Sequence, residues 1–364
     1  MEQKFKEARQ VINEVDKEMA QLFVKRMKAV SDIAEYKMAN GVPILDAKRE
    51  REVIEKNAEL IDDEIIRGYY TNFIQESMRL SKQYQLYLTE GRRVAFSGIE
   101  GAFAHIAASR LFPQAKKVPF GNFKDAYDSV VNGDCDVVVL PIENSAAGEV
   151  GQVTDIIFNG SLYINGMVDL AVRHALVAPH GAKLEDIKTV VSHPQALNQC
   201  SKFIKQHSMK EISYENTALA AEYVAKLNDP TVAAIASEDS AKKYGLDILA
   251  DGINESGVNT TRFAVLSRSK SKNVATKHGA NFVLMFTVKN EAGSLARALN
   301  IIGAHGFNLG TLRSRPMREL LWEYYFYIEA EGNIHSSEGR SMMEELAVCC
   351  DKLKSVGSFV RQSI

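Results

Sequence analysis

Residues 137–145 read Val137-Val138-Val139-Leu140-Pro141-Ile142-Glu143-Asn144-Ser145. Val137 to Ile142 is the longest strongly apolar run in the chain, and a bilayer needs about 20 such residues. A run this short that stops at a polar turn reads as a buried strand. The same design recurs on either side. Val94-Ala95-Phe96 runs into Gly98-x-x-Gly101-Ala102-Phe103, and Val190-Val191 runs into Ser192-His193-Pro194-Gln195, where a helix opens with Ser192 or His193 as cap and Pro194 in its first turn. From about Arg92 onward, apolar strands alternate with amphipathic helices, the pattern of a doubly wound α/β domain. Helix starts expose free N–H groups that bind anions. Several of them meeting in one crevice beyond the strands' carboxyl ends make the usual ligand site of an open sheet. Taken singly, a glycine turn is usually just a turn, and His105 or His193 alone is usually a structural histidine.

Working outward towards the start, Glu2 to about Thr89 reads helical, rich in Lys, Glu, Arg and Leu. The break at Asn40-Gly41-Val42-Pro43 separates a very long first helix from a second. Phe5, Ala8, Ile12, Val15, Met19, Leu22, Val30 and Ile33 follow a 3–4 spacing, which predicts a core-facing stripe. Towards the other end, the polar, basic stretch Arg268 to His278 reads as a linker. Beyond it the order is strand (Phe282 to Val288), helix (Ser294 to Ala304), two strands (Asn308 to Arg315 and Glu323 to Glu329), helix (Gly339 to Lys354) and a last short strand. That order predicts a ferredoxin-like βαββαβ unit. The division is therefore three domains, 1–90, 92–268 and 279–364, as the length of 364 residues suggests.

Composition narrows the function. With 46% hydrophobic and 25% charged residues the chain is ordinary globular material. A net charge of −2 gives no global field for nucleic acid or an anionic membrane, so neither is expected as a partner. The charged, helix-forming start lacks a secretory apolar stretch, and Cys135, Cys200, Cys349 and Cys350 show neither a CxxC pair nor scaffold spacing. A cytoplasmic protein with reduced thiols is the expectation.

The apolar register of the first helix contains two cations, Arg26 and Lys37. Eleven residues apart, they lie within roughly 20° of one face and about 16 Å apart along the axis, so long side chains could close on a small anion. Arg9 stands about 100° off that face and cannot easily join the same pocket within one chain. Asp46, Arg49 and Glu50 share a face of the second helix, as do Ser81 and Gln85 on the third. Buried charges need partners or ligands, and the plain alternative is a set of interhelical salt bridges, Asp46 with Arg26 for instance.

Together these residues resemble the active-site set of the all-helical chorismate mutase family: Arg9, Arg26, Lys37, Asp46-x-x-Arg49-Glu50 and Ser81-x-x-x-Gln85. The resemblance implies an intertwined dimer, which would account for Arg9. It also implies a rearrangement of chorismate to prephenate without covalent catalysis. Arg9, Arg26 and Arg49 would then fork onto two carboxylates, Lys37 and Gln85 would donate to the ether oxygen, and Glu50 would hold the ring hydroxyl.

The α/β stretches, Gly98 to Ala108, Pro141 to Ser145, Ser192 to Cys200, Asn216-Thr217-Ala218 and Thr261-Arg262-Phe263, resemble the prephenate dehydratase family. Asn216 departs from the small hydroxyl residue usual there. A two-lobed domain of periplasmic-binding-protein type is implied, which removes water and carbon dioxide from prephenate without metal or cofactor. The resemblance places Thr261 at the departing hydroxyl, either polarising it or passing a proton from a neighbour such as Glu143 or His193, and Arg262 on a carboxylate. Glu143, Asn144, Ser145, Ser192, His193, Gln195, Thr217 and Phe263 complete the expected pocket. Arogenate in place of prephenate stays open at this level. A mutase fused to a dehydrogenase would need a GxGxxG turn, which Gly98 does not open. A sensor that only binds would have lost the catalytic residues, and both sets are present.

In the last domain, Asn290 to Leu295 resembles the amino-acid-binding turn of ACT regulatory domains, and Arg313-Ser314-Arg315-Pro316 follows. Relatives shut off by phenylalanine usually have glutamate where Arg313 stands. The resemblance implies phenylalanine as effector, held by Gly293, Ser294, Leu295 and the strand end 313–316, with paired domains in a homodimer or higher homo-oligomer.

Overall fold

The computed structural model describes residues 1–255, 259–271, 274, 277–317 and 323–364. They form two compact units, Met1–Arg93 and Val94–Ile364. In the first, α1 (Glu2–Asn40), α2 (Ala47–Ala58) and α3 (Glu64–Glu90) follow the expected helical division. Gly41, at φ 63°, ends α1 by returning its N–H to the Lys37 carbonyl. Asp46 and Asp63 cap α2 and α3 by accepting from Arg49 N and Ile66 N. Asp46 is thus a cap, and the anticipated Asp46–Arg26 pair does not form.

The stripe on α1 is a correction. Only Val30 and Ala34 are buried on this helix, whereas Ile12, Val15, Met19 and Leu22 are 42–64% exposed. A 39-residue helix is about 58 Å long, and α3 with its 27 residues can cover only part of it.

The second unit opens with β1 (Arg93–Ser97), α4 (Phe103–Leu111), β2 (Lys116–Phe120), α5 (Phe123–Val131), β3 (Val137–Asn144), β4 (Gly148–Glu149), α6 (Gly151–Asn159) and β5 (Tyr163–Ala171). A second lobe contains β6 (Ala175–Ala178), β7 (Thr189–Ser192), α7 (Pro194–Gln199), α8 (Ser201–Gln206), β8 (Lys210–Ser213), α9 (Thr217–Leu227), β9 (Val232–Ala236), α10 (Glu238–Tyr244) and β10 (Asp247–Ala250). The chain returns to the first lobe with β11 (Thr260–Ser267). It then builds β12 (Ala280–Thr287), α11 (Ser294–Ala304), β13 (Leu309–Pro316), β14 (Tyr324–Glu331), α12 (Ser337–Cys349) and β15 (Lys352–Ser363).

The second lobe is a sheet ordered β10-β6-β9-β7-β8. In the first lobe β1 and β3 pair in parallel, as the run at 137–142 predicts, and β11 lies antiparallel between β3 and β5. The lobes touch at Gly101. Its carbonyl accepts from Ser240 Oγ at 3.1 Å, and a Cβ there would stand 3.0 Å from that oxygen at a φ of +91°. Glycine is therefore required by both space and backbone.

The C-terminal elements form the expected βαββαβ module in the order β13-β14-β12-β15. Two expectations need correcting. The last helix ends at Cys349, because Lys352–Lys354 already pair with Thr287–Met285 of β12. The last strand is 12 residues long, not short. Its first part closes the module against β12, and its end pairs in parallel with β5 (Arg361↔Met167, Gln362↔Val168), so one sheet continues from module to lobe. The crossing lies at Gly357, φ +151°, where a Cβ would meet the Ile164 carbonyl oxygen at 2.0 Å. Gly357→Ala should cost about 1–3 kcal/mol, read as a fall in the thermal midpoint of the full chain; an unchanged midpoint would refute the crossing. The expected linker is anchored at its start, where Arg268 Nη1 donates to the Val130 and Cys135 carbonyls. Positions 272–273 and 275–276 of that linker lie outside the described residues.

The module grips α6 at its middle and at its C-terminal end. Arg315 Nη2 stands 3.0 Å from Asp155 Oδ2, and Tyr325 Oη donates to Asp155 Oδ1 at 2.6 Å. Lys354 Nζ donates to the Ile157 and Gly160 carbonyls, capping that end, and burial pulls its pKa down to about 8.

Candidate active sites

In the helical unit, Ser77, Ser81 and Gln85 succeed one another at four-residue spacing and are buried on one face of α3. Arg26 reaches this face from α1, donating to the Ser77 carbonyl at 3.1 Å and to Ser81 Oγ. Burial lowers its pKa from an ordinary value so high that the charge is kept. Among the described residues Gln85 Oε1 is buried without a hydrogen-bond partner. The other expected residues are arranged differently. Lys37 donates to the Ile44 carbonyl, Glu50 pairs with Lys82 across α2 and α3, and Arg49 is exposed beside Glu52. Arg9 lies over the Phe5 ring on the exposed start of α1. One chain therefore brings together Arg26, Ser81 and the Gln85 face and leaves the remainder dispersed.

In the second unit a cavity of about 370 Å³ opens between the lobes. The first lobe supplies Ala102 and Phe103 at the start of α4, Asn144 at the end of β3, Glu149 on β4 and Thr261 on β11. The second supplies His193 and Gln195 at α7 and Asn216 and Thr217 at α9. The anticipated residues Asn144, His193, Gln195, Thr217 and Thr261 thus meet in one place. His193 caps α7, its Nδ1 accepting from Gln195 N at 3.2 Å. Asn216, the departure noted above, caps α9 through Oδ1 to Leu219 N at 2.8 Å, a role that a small hydroxyl side chain can also fill. His105 is structural, accepting from Gly101 N.

The bottom of the cleft is a polar chain. Asn144 Nδ2 donates to Thr261 Oγ1 at 2.9 Å and to Asn259 Oδ1 at 3.0 Å, while Asn144 Oδ1 accepts from Ala146 N and Ala147 N. Asn259 Nδ2 donates to Gln199 Oε1 at 2.9 Å. Because Thr261 Oγ1 already accepts from an amide, its own proton is available to a ligand.

Other expected pocket residues lie elsewhere, chiefly because side chains on a strand alternate between faces. Glu143 and Arg262 are cross-strand partners on the face opposite Asn144 and Thr261. There Arg262 Nε bonds Asp169 Oδ1 at 2.9 Å and also faces Glu329 and Glu143. Those partners, Asp169 first, hold its pKa above the ordinary value. The proposed contact of Arg262 with a substrate carboxylate and the proton-donating role of Glu143 are both excluded by this placement. Phe263 is buried with Val94 and Phe96 beneath the cleft. Ser192 is fully buried and donates to the Ile235 carbonyl, and Ser145 accepts from Thr260 N.

The effector set separates in the same way. Ser314 pairs with Phe326 and lies on the side of α11 and α12. Arg313 faces the first lobe of the second unit, where its Nη2 meets Glu143 Oε2 at 2.6 Å, and Arg315 holds Asp155. Arg313 and Arg315 therefore dock the module and do not share a pocket with Ser314. At Gly293 (φ 83°) no side chain caps α11, whose first residue Ser294 donates its N–H to the Glu291 carbonyl and is followed by Leu295; Pro316 ends β13.

Fold and sites define a fused enzyme with two separate small-molecule centres, one all-helical and one in a two-lobed α/β cleft. A family model described as chorismate mutase type II matches residues 8–86, and one described as prephenate dehydratase matches residues 94–271. The bifunctional chorismate mutase/prephenate dehydratase of Buchnera aphidicola subsp. Schizaphis graminum is 33% identical over 371 residues, covering 98% of this chain and 96% of its own. Among solved structures, the prephenate dehydratase of Arthrobacter aurescens in complex with L-Phe is similar at TM-score 0.68 and 27% identity, over 74% of this chain and 90% of that one. A structure described as GqqA, a novel type of quorum quenching acylase, is similar at TM-score 0.69 and 27% identity, over 74% and 98%. This chain belongs to the family of bifunctional chorismate mutase/prephenate dehydratases.

Proposed function

We propose that Arg26, Ser81 and Gln85, with Lys37, Glu50, Asp46 and Arg49, form the chorismate site, and that Thr261 is the centre of the prephenate site. The enzyme converts chorismate to prephenate and prephenate to phenylpyruvate in phenylalanine biosynthesis. The observation that carries the second assignment is the Asn144–Thr261 bond, which leaves the hydroxyl proton of Thr261 free for a ligand. Loss of hydroxide and carbon dioxide from prephenate leaves an aromatic ring, so the barrier is lowered mainly by helping the hydroxyl depart and holding the two carboxylates. Thr261 donates to the departing oxygen. Open N–H groups at the start of α4, which borders the cleft and has no side-chain cap, suit a carboxylate.

The exposed apolar row of α1 is suited to a second copy of the chain, whose Arg9 would complete the mutase site. Phenylalanine, present in the Arthrobacter relative, is the proposed effector, received at the start of α11 and on the Ser314 face of the module. Domain limits of 1–90, 92–268 and 279–364 and a cytoplasmic location complete the reading. No helix among the described residues is long and apolar enough to cross a membrane.

Chorismate given to the purified chain, without metal or nucleotide, should yield phenylpyruvate, seen by its enolate absorbance in base. Accumulation of prephenate with no further reaction would overturn the assignment of the cleft.

A further inference from the structure

His174, between β5 and β6, was not singled out in the sequence. It lines the cleft and is 2% exposed. Its Nε2 lies 3.0 Å from Gln199 Oε1, the same oxygen that accepts from Asn259 Nδ2. An amide oxygen only accepts, so Nε2 carries the proton and Nδ1 presents a lone pair. That Nδ1 is buried and, among the described residues, has no hydrogen-bond partner. Such an atom costs free energy unless a ligand completes it. The ring is fixed further by an edge contact with Phe103, 5.7 Å between centroids, and by a bond from its backbone N–H to Asn254 Oδ1. His174 is thus the far end of the chain Thr261–Asn144–Asn259–Gln199.

Charge decides what this nitrogen does. Among the described residues no lysine or arginine lines the cleft, while Glu149 and Glu215 do. A dianion entering such a place favours uptake of a proton by the nearest buried base. The reaction also consumes one proton: prephenate dianion plus H⁺ gives phenylpyruvate monoanion, carbon dioxide and water.

Resting on the reading of this cleft as the prephenate site, we propose that His174 is the general acid of the dehydration. Its Nδ1 takes up a proton as the dianion binds and delivers it to the ring hydroxyl. The C–O bond then breaks with its electron pair leaving as water, and the electron pair of the C–CO₂ bond flows into the ring. Thr261 orients the departing oxygen, and solvent reprotonates the imidazole in the next cycle. Burial holds the empty histidine below its ordinary pKa, so the proton arrives with the substrate. Other ionisable groups are occupied or peripheral. Glu149 accepts from Thr154, His193 is the α7 cap, and Glu215 is exposed. Behind the ring, Arg173 pairs with Asp251, and Glu255 holds Ser201 and Lys202 N.

The test uses the full chain. His174→Asn keeps a polar atom near Nδ1 but cannot ionise. With prephenate its kcat should fall on the order of 10²–10⁴, with KM changed far less, and the basic limb of the wild-type kcat–pH profile should disappear. A kcat within tenfold of wild type with that limb retained overturns the proposal. Folding of the variant does not limit the test, because a second measurement uses wild type alone. Calorimetry of ring-reduced prephenate, which cannot aromatise, in buffers of different ionisation enthalpy should report uptake of about one proton on binding; no uptake overturns the proposal. Wild type that fails to turn over prephenate would instead overturn the reading of the cleft.

Discussion

Thr261→Ala should leave the chorismate reaction intact and lower prephenate turnover by about 10²–10³ in kcat, the usual cost of removing one donor that stabilises developing charge. The threonine is nearly buried, accepts from Asn144 and has one proton left to give. Alanine at this position keeps the strand, since β11 is paired on both sides, with β3 and β5, and removes only the hydroxyl and one methyl. The loss should therefore appear in kcat far more than in the thermal midpoint, which loses only the Asn144 bond and one methyl contact. Thr261→Ser retains the hydroxyl and should recover much of the rate. Steady-state kinetics on both substrates decide the matter. Turnover of prephenate by the alanine variant within tenfold of wild type would remove Thr261 from the mechanism.

Arg26→Ala should have the reciprocal effect, lowering the mutase by roughly 10²–10³, or about 2.7–4 kcal/mol, while prephenate turnover is spared. Arg26 brings a positive charge to the buried row Ser77, Ser81, Gln85, and the Ser77 carbonyl and Ser81 hydroxyl fix its position. The chorismate rearrangement offers no proton transfer or covalent step to assist, so preorganised charge is the whole of its catalysis. Lysine cannot reproduce the planar fork, and Arg26→Lys should recover little. Equal damage to both reactions would point to a folding defect and count against the assignment.

Much of this was legible in the sequence because it is local. The cap at His193, the end of α1 at Gly41 and the order βαββαβ each depend on a few neighbouring residues. The residues that meet in the cleft could be expected because they stand at strand ends and helix starts, where an open sheet collects its ligand groups. The Thr261-Arg262-Phe263 motif pointed to the right family, but its residues do not share one pocket, because the middle one points to the other face. The two-residue period of a strand was the signal available. Arg313-Ser314-Arg315 failed for the same reason. His174, Gln199 and Asn259 gave no signal beyond lone polar residues beside apolar strands. Their hydrogen bonds join positions 25 and 60 residues apart.

The sequence by itself determined three kinds of segment, the position of the turns and the residue types from which both sites are made, since helix period, strand period and capping act over a few residues. Tertiary structure alone decided which face each charge occupies. It decided that Glu143 pairs with Arg313 on the face away from the cleft, and that β15 leaves its own module to pair with β5. The reason is physical: the partners of a buried charge or a sheet edge are chosen by distance in space, and chain separation of 160 residues or more, as between Asp155 and Arg315, carries no local trace.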